Sequence, residues 1–187
     1  MGPPRQIVLI RHAEKPSAGA VGIDVDGNAS DRCLTPRGWQ RAGALATFFA
    51  QAGTRAGPLA RPDNLHSPEY ETRNRTINHR TYETILPLSE RLGVPIRSGH
   101  KEGHEEKLVR HILAEDAGTS LVCWEHTLLE AIASHLPLAA ASPSPPASWP
   151  ADRFDLIWLF SLAGGEAGPE YTFAELPQLL LAGDSAG

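Results

Sequence analysis

The stretch Gln6-Ile7-Val8-Leu9-Ile10-Arg11-His12-Ala13-Glu14 decides how this chain is read. Its uninterrupted run of β-branched residues and leucine predicts a strand buried on both faces, as in a parallel sheet covered by helices. The run ends abruptly at Arg11 and His12, so the strand delivers two polar side chains from its carboxyl end. In open α/β sheets that edge is where ligands collect. An arginine placed there is costly without a counter-anion, because guanidinium stays charged under all ordinary conditions. The anion is either an external ligand or Glu14, in an internal Arg11–Glu14 pair.

Working outward, Lys15 to Asp31 is rich in Gly, Ser and Asp and has no periodicity, so it reads as a loop. Thr35-Pro36 supplies an N-cap and a proline at the first helical position, and Trp39, Ala42, Leu45 and Phe49 recur at helical spacing. Asn64-Leu65-His66 is a short strand closed by Ser67-Pro68. Thr81 to Leu92 is a helix that Pro87 should kink or shorten. A short strand is expected at Val94-Pro95-Ile96, then a helix from Glu105 to Glu115 with Leu108, Ile112 and Leu113 on one side. Ser120 to Trp124 is a second buried strand, handing over at Glu125-His126 to a helix from Thr127 to Leu136. Thr127 is placed to cap that helix and turn its positive end toward the crevice shared by His12 and His126, which suits an anion.

Ala139 to Trp149 reads as a surface loop. Phe154 to Ser161 is a strand, Gly164-Gly165 a turn, and Tyr171 to Ala174 the antiparallel return. The alternation predicts one domain over residues 1–187, a three-layer α/β/α sandwich whose central sheet is mainly parallel with one antiparallel edge strand.

With 187 residues, 41% of them hydrophobic, the chain can bury one ordinary core, and a formal charge of -5 argues against a basic nucleic-acid-binding surface. Cys33 and Cys123 are too few for a disulfide scaffold, and Cys123 reads as a small buried hydrophobe. The N-terminal apolar run is too short for a signal-peptide core and no later stretch suits a membrane span, so the expectation is a cytoplasmic protein without a membrane partner. His100, His104 and His111 suggest a metal cluster, but His104-Glu105-Glu106-Lys107-Leu108 carries leucine where a zinc-protease helix needs its second histidine. No metal site and no cofactor are expected.

Arg11-His12-Ala13-Glu14 after a hydrophobic strand resembles the Arg-His-x-Glu signature of the histidine phosphatase superfamily, also called phosphoglycerate-mutase-like. Leu34-Thr35-Pro36-Arg37-Gly38-Trp39-Gln40-Arg41-Ala42 resembles that family's Leu-Thr-x-x-Gly-x-x-Gln-Ala helix start, with Arg41 where glutamine is usual. Ser67-Pro68 and Arg80-Thr81-Tyr82-Glu83-Thr84 resemble its Ser-Pro…Arg-Ala-x-x-Thr element, and Leu121 to His126 its second-histidine strand. These matches run in the family's order from Ile7 to Leu136.

The resemblance implies phosphomonoester hydrolysis through a phosphohistidine on His12, with the phosphoryl group held by Arg11, Arg80 and His126, and with His126 protonated. Among Arg73, Arg75 and Arg80, the spacing of four to Thr84 selects Arg80, with Arg75 second. The proton donor to the leaving group is Glu102, Glu105 or Glu125, with Glu102 preferred. The substrate would be a small phosphorylated molecule or a phosphopeptide. Alternatives are a phosphoglycerate-type mutase and a catalytically weak phospho-ligand binding module. The interval from Arg80 to Leu108 is consumed by predicted elements and leaves little to form a lid, which favours hydrolysis over transfer.

Overall fold

The computed structural model describes residues 2–17, 19–54, 57–70, 79–164 and 168–186. Their elements, in chain order, are β1 (Gln6–Arg11), α1 (Pro36–Ala50), β2 (Asn64–Pro68), α2 (His79–Leu92), β3 (Ile96–His100), α3 (Glu105–Glu115), β4 (Thr119–Trp124), α4 (Leu129–Ser134), β5 (Leu156–Leu162) and β6 (Tyr171–Pro177). The strands form one six-stranded sheet in the order β3-β2-β4-β1-β5-β6. The first four run parallel; β5 runs antiparallel to β1 and to β6, making the antiparallel pair at that edge.

Strand alternation divides the core into two faces. Val8 and Ile10 point to the side where Leu45 and Phe49 of α1 and Ile85 and Leu88 of α2 pack with Leu121 and Cys123. Ile7 and Leu9 point to the side where Leu108 and Ile112 of α3 and Leu129 and Ile132 of α4 pack with Trp124 and Trp158. The result is a three-layer α/β/α sandwich in which β1 is buried on both faces, as its apolar run required.

Several elements depart from expectation for local reasons. β3 starts at Ile96 rather than Val94, because the Val94 amide closes the end of α2 on the Ser89 carbonyl and Pro95 has no N–H to give a ladder. α2 begins at His79 and continues through Pro87 for 14 residues, so the proline does not shorten it. β5 begins at Leu156, leaving Phe154 in the loop before it, and β6 extends to Pro177. The expected surface loop before β5 buries Trp149, whose Nε1 donates to the Arg153 carbonyl and whose ring lies 5.0 Å from that of Trp158. Gly165, expected in the β5–β6 turn, lies outside the described residues.

The helix expected from Thr127 is the largest correction. One 3-10 turn spans His126–Leu128, and α4 follows with only six residues and no side-chain cap. The tighter turn, closed by the Leu128 amide on the Glu125 carbonyl, drops Leu129 into the core and leaves Thr127 exposed. A capped helix dipole at this point is therefore absent.

α1 starts where expected, and its first turn is fastened to the chain after His12. The Thr35 hydroxyl accepts from the Gly38 amide (3.2 Å) and donates to the Glu14 carbonyl (3.1 Å), while the Thr35 amide donates to the same carbonyl (3.0 Å). A Cβ on Gly38 would stand 2.6 Å from the Glu14 carbonyl oxygen, closer than packed atoms allow. Gly38→Ala should therefore cost about 1–3 kcal/mol of stability, in the range of overpacking. Gly43→Ala, on the exposed side of the same helix with open space around it, should be neutral or stabilise by up to about 1 kcal/mol. Urea unfolding of the two variants measures the contrast, and equal costs would refute the close approach.

Candidate active site

β1 carries Arg11 as its last residue, and the His12 amide extends the ladder by donating to the Trp124 carbonyl of β4 (3.3 Å). The His12 side chain is only 1% exposed. Its Nδ1 lies 2.7 Å from the Ala13 carbonyl, which can only accept, so the proton of the neutral ring sits on Nδ1 and the lone pair on Nε2. Nε2 has no hydrogen-bond partner: the Glu125 carboxylate approaches to 3.3 Å, outside hydrogen-bonding geometry. The site thus presents one ring nitrogen held in nucleophilic form.

Arg11 is equally buried, and Glu14 is not its counter-ion. Its Nη1 donates to the carbonyls of Ala151 (2.8 Å), Arg153 (3.1 Å) and Pro150 (3.4 Å), and its guanidinium carbon lies 3.9 Å from the centre of the Phe154 ring. Nε and Nη2 are buried with no hydrogen-bond partner among the described residues. Burial lowers the pKa to about 10 against the opposing pull of Glu125, Glu14 and Asp152, so the group remains charged at neutral pH. Two orphan donors on a buried cation are a costly feature unless an anion is meant to meet them. Phe154 and these carbonyls escaped sequence reading; the aromatic pair Trp149 and Phe154 flanking a proline was the available signal.

Glu14 belongs instead to Arg41. That guanidinium, 2% exposed, pairs with Glu14 (2.8 Å) and Asp184 (2.7 Å) and donates to Gln178 (3.1 Å). Burial alone would depress its pKa, but the bonds to Asp184 and Glu14 outweigh burial and hold it above the usual value.

His126 faces His12 edge-on, with ring centroids 6.3 Å apart. The Glu125 carboxylate reaches both rings, one oxygen beside His12 Nε2 and the other in close contact with His126 Nδ1. Burial pushes the Glu125 pKa up, but its contacts with His12 and His126 prevail and hold it at about 2. The surroundings of His126 favour the neutral ring in the absence of a bound anion. Burial and the neighbouring Arg11 lower its pKa below the ordinary histidine value, against the pull of Glu125.

Arg80 is the second residue of α2, and its Nη1 donates to the Asp31 carbonyl (3.3 Å). Thr84 explains the spacing of four: its hydroxyl donates to the Arg80 carbonyl (2.6 Å) and accepts from the Ala13 amide (2.8 Å), tying α2 to the residue after His12. Arg73 and Arg75 lie outside the described residues. Glu102 is half-buried, and burial together with Glu125 and Glu105 raises its pKa while Arg80 opposes. Glu105 accepts from Trp124 Nε1 (3.1 Å) and the Gly103 amide (2.9 Å), so its carboxylate serves the fold. The structure thus brings His12, His126 and Glu125 together beside Arg11, and it places Glu102 within electrostatic reach of Glu125 and Arg80. His12, Glu125 and His126 also offer ligand atoms within 4.8 Å of one another, a spacing a divalent cation can use. Among the described residues no helix is long and apolar enough to cross a membrane.

No family model and no curated protein matches the chain. Solved structures do. The chain is similar to a mycobacterial glucosyl-3-phosphoglycerate phosphatase in complex with VO3, with TM-score 0.54 and 14% identity over 90% of this chain and 97% of that one. It is similar also to a structure described as mycobacterial hydrolase 1, with TM-score 0.52 and 14% identity over 91% of this chain and 97% of that one. At this identity the likeness is one of fold, an α/β sandwich around a mostly parallel sheet, as the alternation of elements implied.

The titration of this site has a stability signature. Both His126 and Glu125 hold their folded pKa below the ordinary value, so the unfolded chain binds the extra proton more readily and their stabilisation is lost on acidification. The His126 contribution is present above pH 6.5 and fades as pH falls below it; that of Glu125 fades from pH 4.5 toward about 2. Urea midpoints measured across this range should show Glu125→Gln losing less stability below pH 4.5 than the unsubstituted protein. Parallel curves would mean the carboxylate is not held by the two histidines.

Proposed function

We propose that the protein is a metal-independent phosphatase that hydrolyses phosphomonoesters through a phosphohistidine on His12. The observation that carries this reading is the pairing of a buried histidine, whose Nδ1 lies on the Ala13 carbonyl and whose Nε2 has no hydrogen-bond partner among the described residues, with a buried arginine, two of whose nitrogens are likewise unsatisfied. A phosphomonoester supplies what that pocket lacks, an electrophilic phosphorus for Nε2 and anionic oxygens for Arg11 Nε and Nη2. The phosphatase likeness of the fold, including a relative solved with VO3, supports the same chemistry.

In this scheme the phosphoryl group displaces the Glu125 carboxylate from between the histidines, and its oxygens are gripped by Arg11, Arg80 and His126. A dianion in contact favours the charged form of His126, which then donates to an equatorial oxygen as charge builds. His12 Nε2 attacks in line, the bond from phosphorus to the ester oxygen breaks, and Glu102 delivers its proton to the departing alkoxide. Water then attacks the phosphohistidine, the P–N bond breaks, the proton returns to Glu102, and inorganic phosphate leaves. Glu102 suits the acid role because its surroundings favour the protonated form, whereas Glu125 is held ionised and Glu105 is spent on Trp124 and Gly103. The cationic groups meet the phosphoryl charge without a divalent ion. Small phosphorylated molecules or phosphopeptides are the substrates this pocket fits.

Mutase activity is the second reading; isomerisation of 2- or 3-phosphoglycerate outpacing phosphate release would favour it. A binding module would hold phosphorylated ligands without turnover. For the hydrolase, quenching with labelled substrate should trap an acid-labile, alkali-stable phosphoryl group on His12, and His12→Ala should abolish turnover while retaining the fold. Turnover should persist after chelation and be suppressed by vanadate; label on serine or aspartate, or rescue only by added metal, would reject the mechanism. Glu102→Gln should slow alkyl phosphates by about 10²–10⁴-fold, the usual scale of acid catalysis, and aryl phosphates with good leaving groups far less. Equal losses on both would move the acid elsewhere.

A further inference from the structure

A second cluster of ligand-type side chains lies away from His12, and it is built from Cys33, His79 and Glu83. Cys33 closes the long loop after β1 and is 1% exposed. His79 and Glu83 are one helical turn apart at the start of α2, so both project from the same face toward that loop. Cys33 Sγ stands 3.6 Å from His79 Nδ1, His79 Nδ1 stands 3.7 Å from Glu83 Oε1, and the ligand atoms fall within 4.8 Å of one another. The other Glu83 oxygen is fixed by the Leu34 amide (2.9 Å), which sets the carboxyl orientation.

We propose that Cys33, His79 and Glu83 form a binding site for a zinc-type divalent cation that staples the loop before α1 to the start of α2. With Zn–S of about 2.3 Å and Zn–N and Zn–O of about 2.0–2.2 Å, tetrahedral coordination places sulfur about 3.5 Å from nitrogen and nitrogen about 3.4 Å from oxygen. The observed edges are close to these lengths before any ion is present. Mixed thiolate, imidazole and carboxylate donors suit zinc or cobalt rather than calcium or magnesium, which take oxygen ligands. The Leu34 amide satisfies one oxygen of the buried Glu83 carboxyl group, and a coordinated cation would bind the other, which lies beside His79 Nδ1. The metal bonds to sulfur as the thiol proton passes to solvent, and a water oxygen completes the fourth position.

The position gives the staple a consequence. Arg80 follows His79 directly, and its Nη1 bonds the carbonyl of Asp31, two residues before Cys33. A cation here joins the segments on either side of that arginine and restricts where its guanidinium points. It takes no part in phosphoryl chemistry, so this inference stands independently of the proposed function.

Cobalt(II) titration of the full chain, without substrate, tests it. A thiolate-to-cobalt charge-transfer band should saturate at one equivalent, be displaced by zinc, and accompany a rise in melting temperature on zinc loading. Cys33→Ser should lose the band, and His79→Ala and Glu83→Gln should weaken binding by about tenfold or more, whereas Cys123→Ser should keep the band. The His12, Glu125 and His126 group contains no sulfur and cannot produce this signal. No band in the unsubstituted protein, or a band that survives Cys33→Ser, overturns the site. Should Cys33→Ser fail to fold, His79→Ala decides the matter, since that side chain is 20% exposed and its truncation leaves little void; unchanged cobalt affinity there is equally fatal.

Discussion

A guanidinium sealed inside the protein, with two of its three nitrogens unsatisfied among the described residues, is the constraint on which the site depends. Arg11 ends the central strand, where neighbours on both sides exclude water, and no carboxylate of the described residues forms an ion pair with it. The fold answers with three main-chain carbonyls on one nitrogen and an aromatic face beneath the plane. Carbonyl dipoles and a ring quadrupole lessen the cost of the charge without neutralising it. The remaining positive potential is expressed nearby: it helps lower the pKa of His126, and Glu125 opposes the desolvation of Arg11.

The glutamates around this charge show how one side-chain type is given separate tasks by its surroundings. Glu14 neutralises Arg41, Glu83 orients the chain at Leu34, and Glu105 accepts from an indole and an amide. Glu125 is held ionised between two imidazoles, whereas Glu102, half-buried and facing other carboxylates, is pushed toward its protonated form. Carboxyl groups whose environments drive their pKa values apart are the arrangement from which acid and anion roles are assigned. The sequence preferred Glu102 over Glu105 and Glu125 without a contact to separate them; the three dispositions follow from contacts made across the fold.

The legible parts of the sequence were those in which a local pattern and the tertiary environment agree. The apolar run of β1, the Thr35-Pro36 helix start and the helix Glu105–Glu115 each carry signals within a few residues, and each stands where those signals put it. The clustering of His12 with His126 was legible because both follow buried strands that pair in parallel, Ile10 opposite Cys123 and Arg11 opposite Trp124. What escaped reading depends on distant partners. The turn at His126 is 3-10 because Leu129 must reach the core, β3 starts late because Pro95 cannot join the ladder, and Phe154 lies under Arg11 through a separation of 143 residues in the chain, counted as 154 minus 11.

Arg41 shows how one side chain of α1 fixes a distant part of the chain. Where the resembled motif has a neutral amide, this chain carries a buried guanidinium, and two anions offset the cost of its burial. One comes from Glu14, next to the site; the other comes from Asp184, whose pKa burial would raise but whose bonds to Arg41 and to the Leu180 and Leu181 amides hold it at about 2. The Asp184 carboxylate thereby anchors the C-terminal segment against α1, and Arg37 adds a bond to the Ala182 carbonyl from the same helix. The guanidinium thus meets a carboxylate 143 positions away, taken as 184 minus 41, presented by the tail. Because the first turn of the same helix is fastened to the Glu14 carbonyl, two residues after His12, these bonds tie the tail to the segment that carries the site.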